Sequence, residues 1–501
     1  MNRRIGRRGV LAGLAGLAAA PALAEAPLIA LRPPARRLPA PLRPQLRPDG
    51  ILPPGAAQIV ARAGLSGQVS IALADARTGQ MIDMVAPAQA LPPASVMKTF
   101  TALYAREVLG PDHRFTTRVL GTGDVAGGRL DGDLVLAGGG DPTLLTDDLA
   151  VLARDLRAAG LREVTGRFLV WGGALPYLRQ IDHEQTPQAG YNPGLSGLNL
   201  NFNRVNFAWE RAGGDWRVGM DARSDTRRPE VSVARMRVVD RAAPVYTYDD
   251  SGAREEWTVA RRALGDGGTR WLPVRRPAIY AGDVFRALAL AEGIRLPGAA
   301  EVADLPAGTE LARHDSAPLD AVIADMLDYS TNLTAEVLGL SAAKALGAEP
   351  GTLAQSARVM RRWLIARHGV APRPVDHSGL GEGSRVSASE MLAALVGAGQ
   401  GDFPALLKNV AMTDDEGKRL AAPPAVVRAK TGTLDFVSAL AGFLLLPSGR
   451  RLAFAIFTAD PERRAEARAS NDEAPPGTAE WNRAARRLQQ QLLRAWAARH
   501  G

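Results

Sequence analysis

The stretch "LPPASVMKTFTALYARE", Leu91 to Glu107, decides how this chain folds and what it can do. Two prolines and an alanine lead into Ser95, and an apolar-periodic run of high helix propensity follows from Val96 to Leu109. Ser95 therefore opens a helix, and Lys98 stands one turn further along the same face. On these residues alone two readings stay open. Ser95 is an ordinary N-cap, the commonest use of serine at a helix start, or it is a nucleophile with Lys98 as its base and the helix N-terminus favouring developing negative charge.

Lysine usage bears on that choice. The chain has 61 basic side chains but only five lysines, Lys98, Lys344, Lys408, Lys418 and Lys430. A lysine can lose its proton and act as a base, whereas an arginine cannot. Two of the five follow a serine by three positions, Ser95–Lys98 and Ser341–Lys344. Ser341 lies inside the helical run "TAEVLGLSAAKALG", where a hydroxyl bonds back to the preceding turn. Ser95 is the better nucleophile candidate. Downstream stand "STN" at 330–332 and "KTG" at 430–432, whose bland readings are a helix cap and a turn.

Each of these elements suits acyl transfer. Lys98 serves as base if neutral, a state a nearby cation such as Lys430 would promote. Ser330 can relay a proton to the leaving amine, and Asn332 can bond the substrate amide while fixing Lys98. "KTGT" belongs on an edge strand to which a substrate can add: Gly432 permits close approach, and Lys430, Thr431 and Thr433 suit a terminal carboxylate. The N–H groups of Ser95 and Thr433 are the oxyanion-hole candidates.

The 501 residues, 46% of them hydrophobic, are enough for several domains with large cores. The net charge of +9 is unevenly placed: residues 1–50 carry nine arginines against Glu25 and Asp49, leaving a nearly neutral body, so nucleic acid is not an expected partner. The arginine-rich start, the apolar run from Val10 to about Leu23 and the small-x-small site at 22–24 read as a secretory signal over 1–24, with Arg7-Arg8 resembling a twin-arginine type. That apolar run is too short for a stable membrane span. Export into a bacterial periplasm is expected. There is no cysteine, which excludes thiol chemistry, and the six histidines form no HExxH-type pair, so neither metal nor cofactor is expected.

Proline and arginine crowd 25–54, an extended linker. "QVSIALADARTGQMIDM" then alternates, turns at 75–79 and alternates again, as an antiparallel hairpin does. Residues 118–280 are rich in glycine and short alternating runs and read as one or two inserted β-rich domains. Helical patterns resume near 281, a second hairpin spans 439–459 about a turn at 447–450, and an amphipathic helix closes the chain from about Thr478 to His500. The expected fold class is α+β, an antiparallel sheet covered by helices, with the first domain split into 55–117 and 281–501 by the insertion.

The ordered set Ser-x-x-Lys, Ser-x-Asn, Lys-Thr-Gly resembles the penicillin-recognising serine acyltransferases. The 232 positions from Lys98 to Ser330, "GGGDPTL" at 138–144 and "DHSGLGEGSRVS" at 376–387 narrow the resemblance to the D-alanyl-D-alanine carboxypeptidase/endopeptidases of the class C low-molecular-mass penicillin-binding proteins. The resemblance implies a transpeptidase-like domain, an acyl-enzyme on Ser95 formed with peptidoglycan stem peptides and cross-links, and covalent inhibition by β-lactams, without metal or cofactor. It leaves homodimerisation open. Asp141 is a candidate for a cationic stem residue, against the alternative of an Asp-Pro turn. His377, where the family usually has glycine, and Thr331 depart from the pattern. A β-lactamase and a non-catalytic wall-binding or penicillin-sensing protein are the competing readings.

Overall fold

The two expected hairpins, far apart in sequence, meet in one antiparallel sheet. In this computed structural model, which describes residues 53–470 and 475–501, the strands run in the order Asn409–Val410, Val426–Leu434, Val437–Leu445, Arg451–Ala459, Gln68–Asp75, Met81–Val85. Gln68–Asp75 pairs along its whole length with Arg451–Ala459, from Gln68 opposite Ala459 to Asp75 opposite Leu452. The signal and most of the linker lie outside the described residues.

The continuous apolar run of Arg451–Ala459 has a simple cause: both faces of the sheet are covered, so alternate residues enter different cores. Ala453, Ala455 and Phe457 pack with Phe100, Met391 and Leu338 beneath the helices Met97–Leu109, Ala388–Ala398 and Asn332–Ala345. Leu452, Phe454 and Ile456 pack on the other side with Ile59, Leu492 and Trp496 of the helices Ala56–Ala63 and Thr478–His500. The α+β class expected from the sequence is the observed one.

The insertion has its own core. A five-stranded sheet, Ala299–Glu301, Phe168–Trp171, Leu134–Gly138, Thr116–Gly121, Thr309–Asp315, is covered by the helices Thr146–Ala158 and Pro277–Ala291. Two three-stranded sheets built from residues between 204 and 273 share that core through Phe207, Trp257 and Leu272. The 13-residue helix Thr146–Ala158 has no counterpart in the expected β-rich texture. Helix Pro277–Ala291, assigned from sequence largely to the helical domain, buries Tyr280, Val284 and Phe285 in the insertion's core instead. Its periodicity identifies a helix but not the core that receives it.

The chain leaves and re-enters the helical part side by side. Ser316 N–H donates to Phe115 O (2.8 Å), Phe115 N–H to Ser316 Oγ (3.0 Å) and Leu319 N–H to His113 O (2.9 Å). On this pairing we propose limits for the inserted unit near Thr116 and Asp315, wider than 118–280.

Candidate active site

Ser95 lies in a short 3-10 turn, Ala94–Val96, that runs into helix Met97–Leu109. It is not the cap of that helix: Val96 holds the N-cap position, and no side chain caps it. The hydroxyl of Ser95 instead accepts from Lys98 Nζ at 3.0 Å. Ala94, just before the serine, has φ +45°, a left-handed conformation that costs a non-glycine residue on the order of 1 kcal/mol. Two glycines make room for this turn. A Cβ on Gly379, itself at φ +78°, would stand 1.9 Å from Ala94 O, and one on Gly432 would stand 2.9 Å from Pro93 O and 3.1 Å from Ser95 N. A side chain at 432 would therefore collide with the serine turn, a need for glycine separate from the close approach of a substrate expected there.

Lys98 is fully buried, and its Nζ also reaches Asn332 Oδ1 at 2.7 Å and Ser378 O at 2.9 Å. Burial pulls its pKa down to about 8, against the opposing pull of Glu336 and Asp376. Desolvation, rather than the expected influence of Lys430, is thus the leading cause of the shift. Lys430 is buried too, and its pKa is held well below the ordinary value by desolvation first and then by Lys98 and Lys408. Its Nζ donates to Ser330 Oγ at 2.9 Å and to Thr431 O at 2.8 Å. Ser330 ends helix Leu319–Tyr329 in a left-handed conformation, φ +62°, which turns the chain toward Lys430 before Asn332 begins the next helix. Asn332 Nδ2 donates to Tyr191 O at 3.0 Å, so a loop of the insertion touches the site directly.

"KTG" is a strand, not a turn. Residues Val426–Leu434 pair with Val437–Leu445 on one side, while the short Asn409–Val410 on the other covers only Val427 and Arg428. Ala429 N–H still donates to Lys408 O (2.9 Å), so by alternation the N–H groups of Thr431 and Thr433 face the same, now open, edge. Thr431 and Thr433 are exposed, and Gly432 is buried against the serine turn. Ser95, Ser330, Asn332 and Thr433 line one cleft of about 1130 Å³, whose other walls are Glu184–Tyr191 and Trp271 of the insertion and Arg464–Ala469 of the helix Pro461–Ser470.

Asp141 does not line this cleft. It is buried, and its Oδ1 accepts from Thr143 N–H (2.8 Å) and Thr143 Oγ1 (2.7 Å), the Asp-Pro turn of the alternative reading. The second Ser-x-x-Lys is structural: Lys344 Nζ binds Ala174 O at 3.0 Å and pairs with Glu349. Thr331 Oγ1 bonds Thr334 Oγ1 at 2.8 Å.

Sequence reasoning missed three groups beneath the site. Glu336, one turn after Asn332 on the same helix, accepts from the N–H groups of His377 (3.0 Å) and Ser378 (2.8 Å). Asp376 accepts from Gly379 N–H (2.7 Å) and Gly381 N–H (2.6 Å), and the carbonyl of Ser378 holds Lys98. The i, i+4 spacing of Asn332 and Glu336 was the available signal. His377 forms no dyad with Ser378. Its Nε2 meets Ser356 Oγ at 2.8 Å, and burial drives its pKa down to about 3.

His377 fits because residue 339 has no side chain. A Cβ on Gly339 would stand 2.1 Å from His377 Cγ, so Gly339→Ala is expected to destabilise the protein by about 3 kcal/mol through overpacking, read as a lowered melting temperature. Adding His377→Gly should remove most of that loss. Equal losses in both backgrounds would show that the ring is not the obstacle.

The chain matches the family model described as "D-Ala-D-Ala carboxypeptidase 3 (S13) family" over residues 56–475. It is 31% identical over 436 residues to the D-alanyl-D-alanine carboxypeptidase of Actinomadura sp. (strain R39), covering 78% of each chain. Among solved structures, penicillin binding protein 4 (dacB) from Haemophilus influenzae superposes with a TM-score of 0.69 at 19% identity, over 88% of this chain and 99% of that one. The same protein complexed with a novel β-lactam gives a TM-score of 0.67 at 21% identity, with the same coverage. These two likenesses establish the shared fold.

Proposed function

This chain belongs to the D-Ala-D-Ala carboxypeptidase 3 (S13) family of peptidases, and from that premise we propose that it cleaves D-Ala-D-X bonds of peptidoglycan stem peptides through an acyl-enzyme on Ser95. The observation that carries this reading is a buried Lys98 whose Nζ is shared by Ser95 Oγ and Asn332 Oδ1.

Neutral Lys98 takes the proton of Ser95 as Oγ bonds the carbonyl carbon, and the N–H groups of Ser95 and Thr433 receive the oxyanion. Ser330 passes a proton to the departing amine and takes one in exchange from the Lys430 ammonium that donates to it. Water then releases the acyl group from Ser95: Lys98 returns its proton to Ser95 Oγ, and the attacking water's proton restores Lys430. The open edge at Lys430–Thr433 accepts the substrate as an added strand, with Thr431, Gly432 and Thr433 beside its terminal carboxylate. An edge of this kind accommodates both a terminal D-alanine and the longer branch of a cross-link, so carboxypeptidase and endopeptidase activity belong to one site. A β-lactam, bound in the Haemophilus relative, would acylate the same serine. The arginine-rich start supports export to the periplasm, and among the described residues no helix is long and apolar enough to cross a membrane.

Incubating the purified protein with fluorescent penicillin and then with cross-linked muropeptides tests this. A persistent label on the peptide carrying Ser95, with release of D-alanine and cleavage of the cross-links, is the expected result. No covalent label would overturn the serine mechanism. Label with intact muropeptides would favour a penicillin sensor, and rapid loss of label with antibiotic turnover a β-lactamase.

The pH dependence follows from Lys98. Only the free amine accepts the serine proton, so with a pKa of about 8 acylation should rise with pH and level off above it. Between pH 8 and pH 6 the neutral fraction falls by about 50-fold. Acylation rates by stopped flow that stay flat over this interval would remove Lys98 from the base role.

A further inference from the structure

Two carboxyl groups under the site, Glu336 and Asp376, take no direct part in the acyl transfer, yet they are among the most deeply buried titratable groups of the described residues. Glu336 is wholly buried, and each of its oxygens accepts one backbone N–H, from His377 and from Ser378. The next carbonyl along, Ser378 O, holds Lys98 Nζ, and Thr101 Oγ1 of the same helix donates to His377 O at 2.6 Å. The peptide on which the base rests, Ser378–Gly379, donates its N–H to Asp376 Oδ1 at 2.7 Å, and Glu336 holds the two peptides just before it. Asp376 clamps the following turn through Gly379 and Gly381, and Gly379 lies against the carbonyl of Ala94 in the serine turn.

We propose that Glu336 and Asp376 are the positioning residues of Lys98: Asp376 holds the peptide whose carbonyl aims Nζ, Glu336 holds the two peptides before it, and the pair supplies the counter-charge that receives the ammonium when Ser95 gives up its proton. An ammonium formed in a fully buried site is costly unless counter-charge and hydrogen bonds are already in place. Both carboxylates act on Lys98 in the direction of the charged form. Burial first raises their own pKa values, that of Glu336 to about 8 with Asp376 adding to the rise, so Glu336 gains its charge over the same pH range in which Lys98 titrates. The other charged or titratable groups facing this cluster do not replace them: Lys430 opposes the ammonium, His377 is buried and neutral, Tyr104 of the serine helix keeps its proton, and Asp182 of the insertion acts on Asp376. The inference rests on the acyl-enzyme reading above.

The test is the pH profile of fluorescent-penicillin acylation by the full chain and by Glu336→Gln. Glutamine is nearly isosteric, but it accepts only one of the two N–H groups and carries no charge. Removing negative charge beside Lys98 favours its neutral form, and because Glu336 is only about half ionised near pH 8 the midpoint should move to lower pH by up to about one unit. The plateau rate should fall on the order of tenfold or more as Nζ loses its alignment. Asp376→Asn leaves both bonds of Glu336 intact and should move the midpoint the same way; it decides the matter if Glu336→Gln does not fold. Midpoints that stay at the wild-type value in the folded variants, even with lowered melting temperatures, would reduce both carboxylates to structural roles and overturn the proposal. Absence of label on the wild type would sink the acyl-enzyme reading instead.

Discussion

Ser95→Ala is expected to leave a folded protein that takes no covalent penicillin label and has lost peptidase activity by on the order of 10⁶-fold, the scale on which serine hydrolases depend on their nucleophile. The variant isolates chemistry from stability. Ser95 is only partly buried, and among the described residues its hydroxyl is hydrogen-bonded to Lys98, which keeps Asn332 and the Ser378 carbonyl as partners. The change in stability should therefore stay within about 1 kcal/mol. Intact label on the alanine variant, located by peptide mapping, would mean that another residue is acylated and that the cleft has been read wrongly.

Lys98→Arg should cost at least about 10³-fold in acylation, the upper part of the range for general-base catalysis. Two physical causes add. An arginine is neutral in at most about one molecule in 10⁵ at pH 7, so the base is effectively absent. The site is also completely enclosed, so a branched guanidinium must displace Asn332 or the 376–381 loop, an overpacking of about 1–3 kcal/mol. Lys98→Met separates the two, because it keeps an unbranched stem without a base: it should lose acylation as fully while melting closer to wild type. Acylation of Lys98→Arg within tenfold of wild type would end the assignment of Lys98 as base.

Local pattern alone determined several elements of this fold. Gln68–Asp75 with Met81–Val85, the serine helix to Leu109, the strands on either side of the 446–450 turn and the closing helix Thr478–His500 all stand where alternation or helical spacing put them. Those signals are short in range, and so is the physics behind them: one face of each element is apolar because one face is buried. The three motifs were equally open to reading, since the chemistry of a serine, a lysine or a glycine is written in the residue itself.

What surrounds a residue is not. Lys98 meets Asn332 and Ser378 across 234 and 280 positions, and it is their enclosure that lowers its pKa. No periodicity in 91–107 announces a buried amine rather than an exposed one. Only the packed structure put Asp141 in a closed turn, gave helix Pro277–Ala291 to the insertion and brought Glu336 under the base. The sequence determined which residues could react and which segments would be strands or helices. The tertiary structure decided which of those groups share a site and in what protonation state, because desolvation and charge coupling are properties of neighbours that chain order does not record.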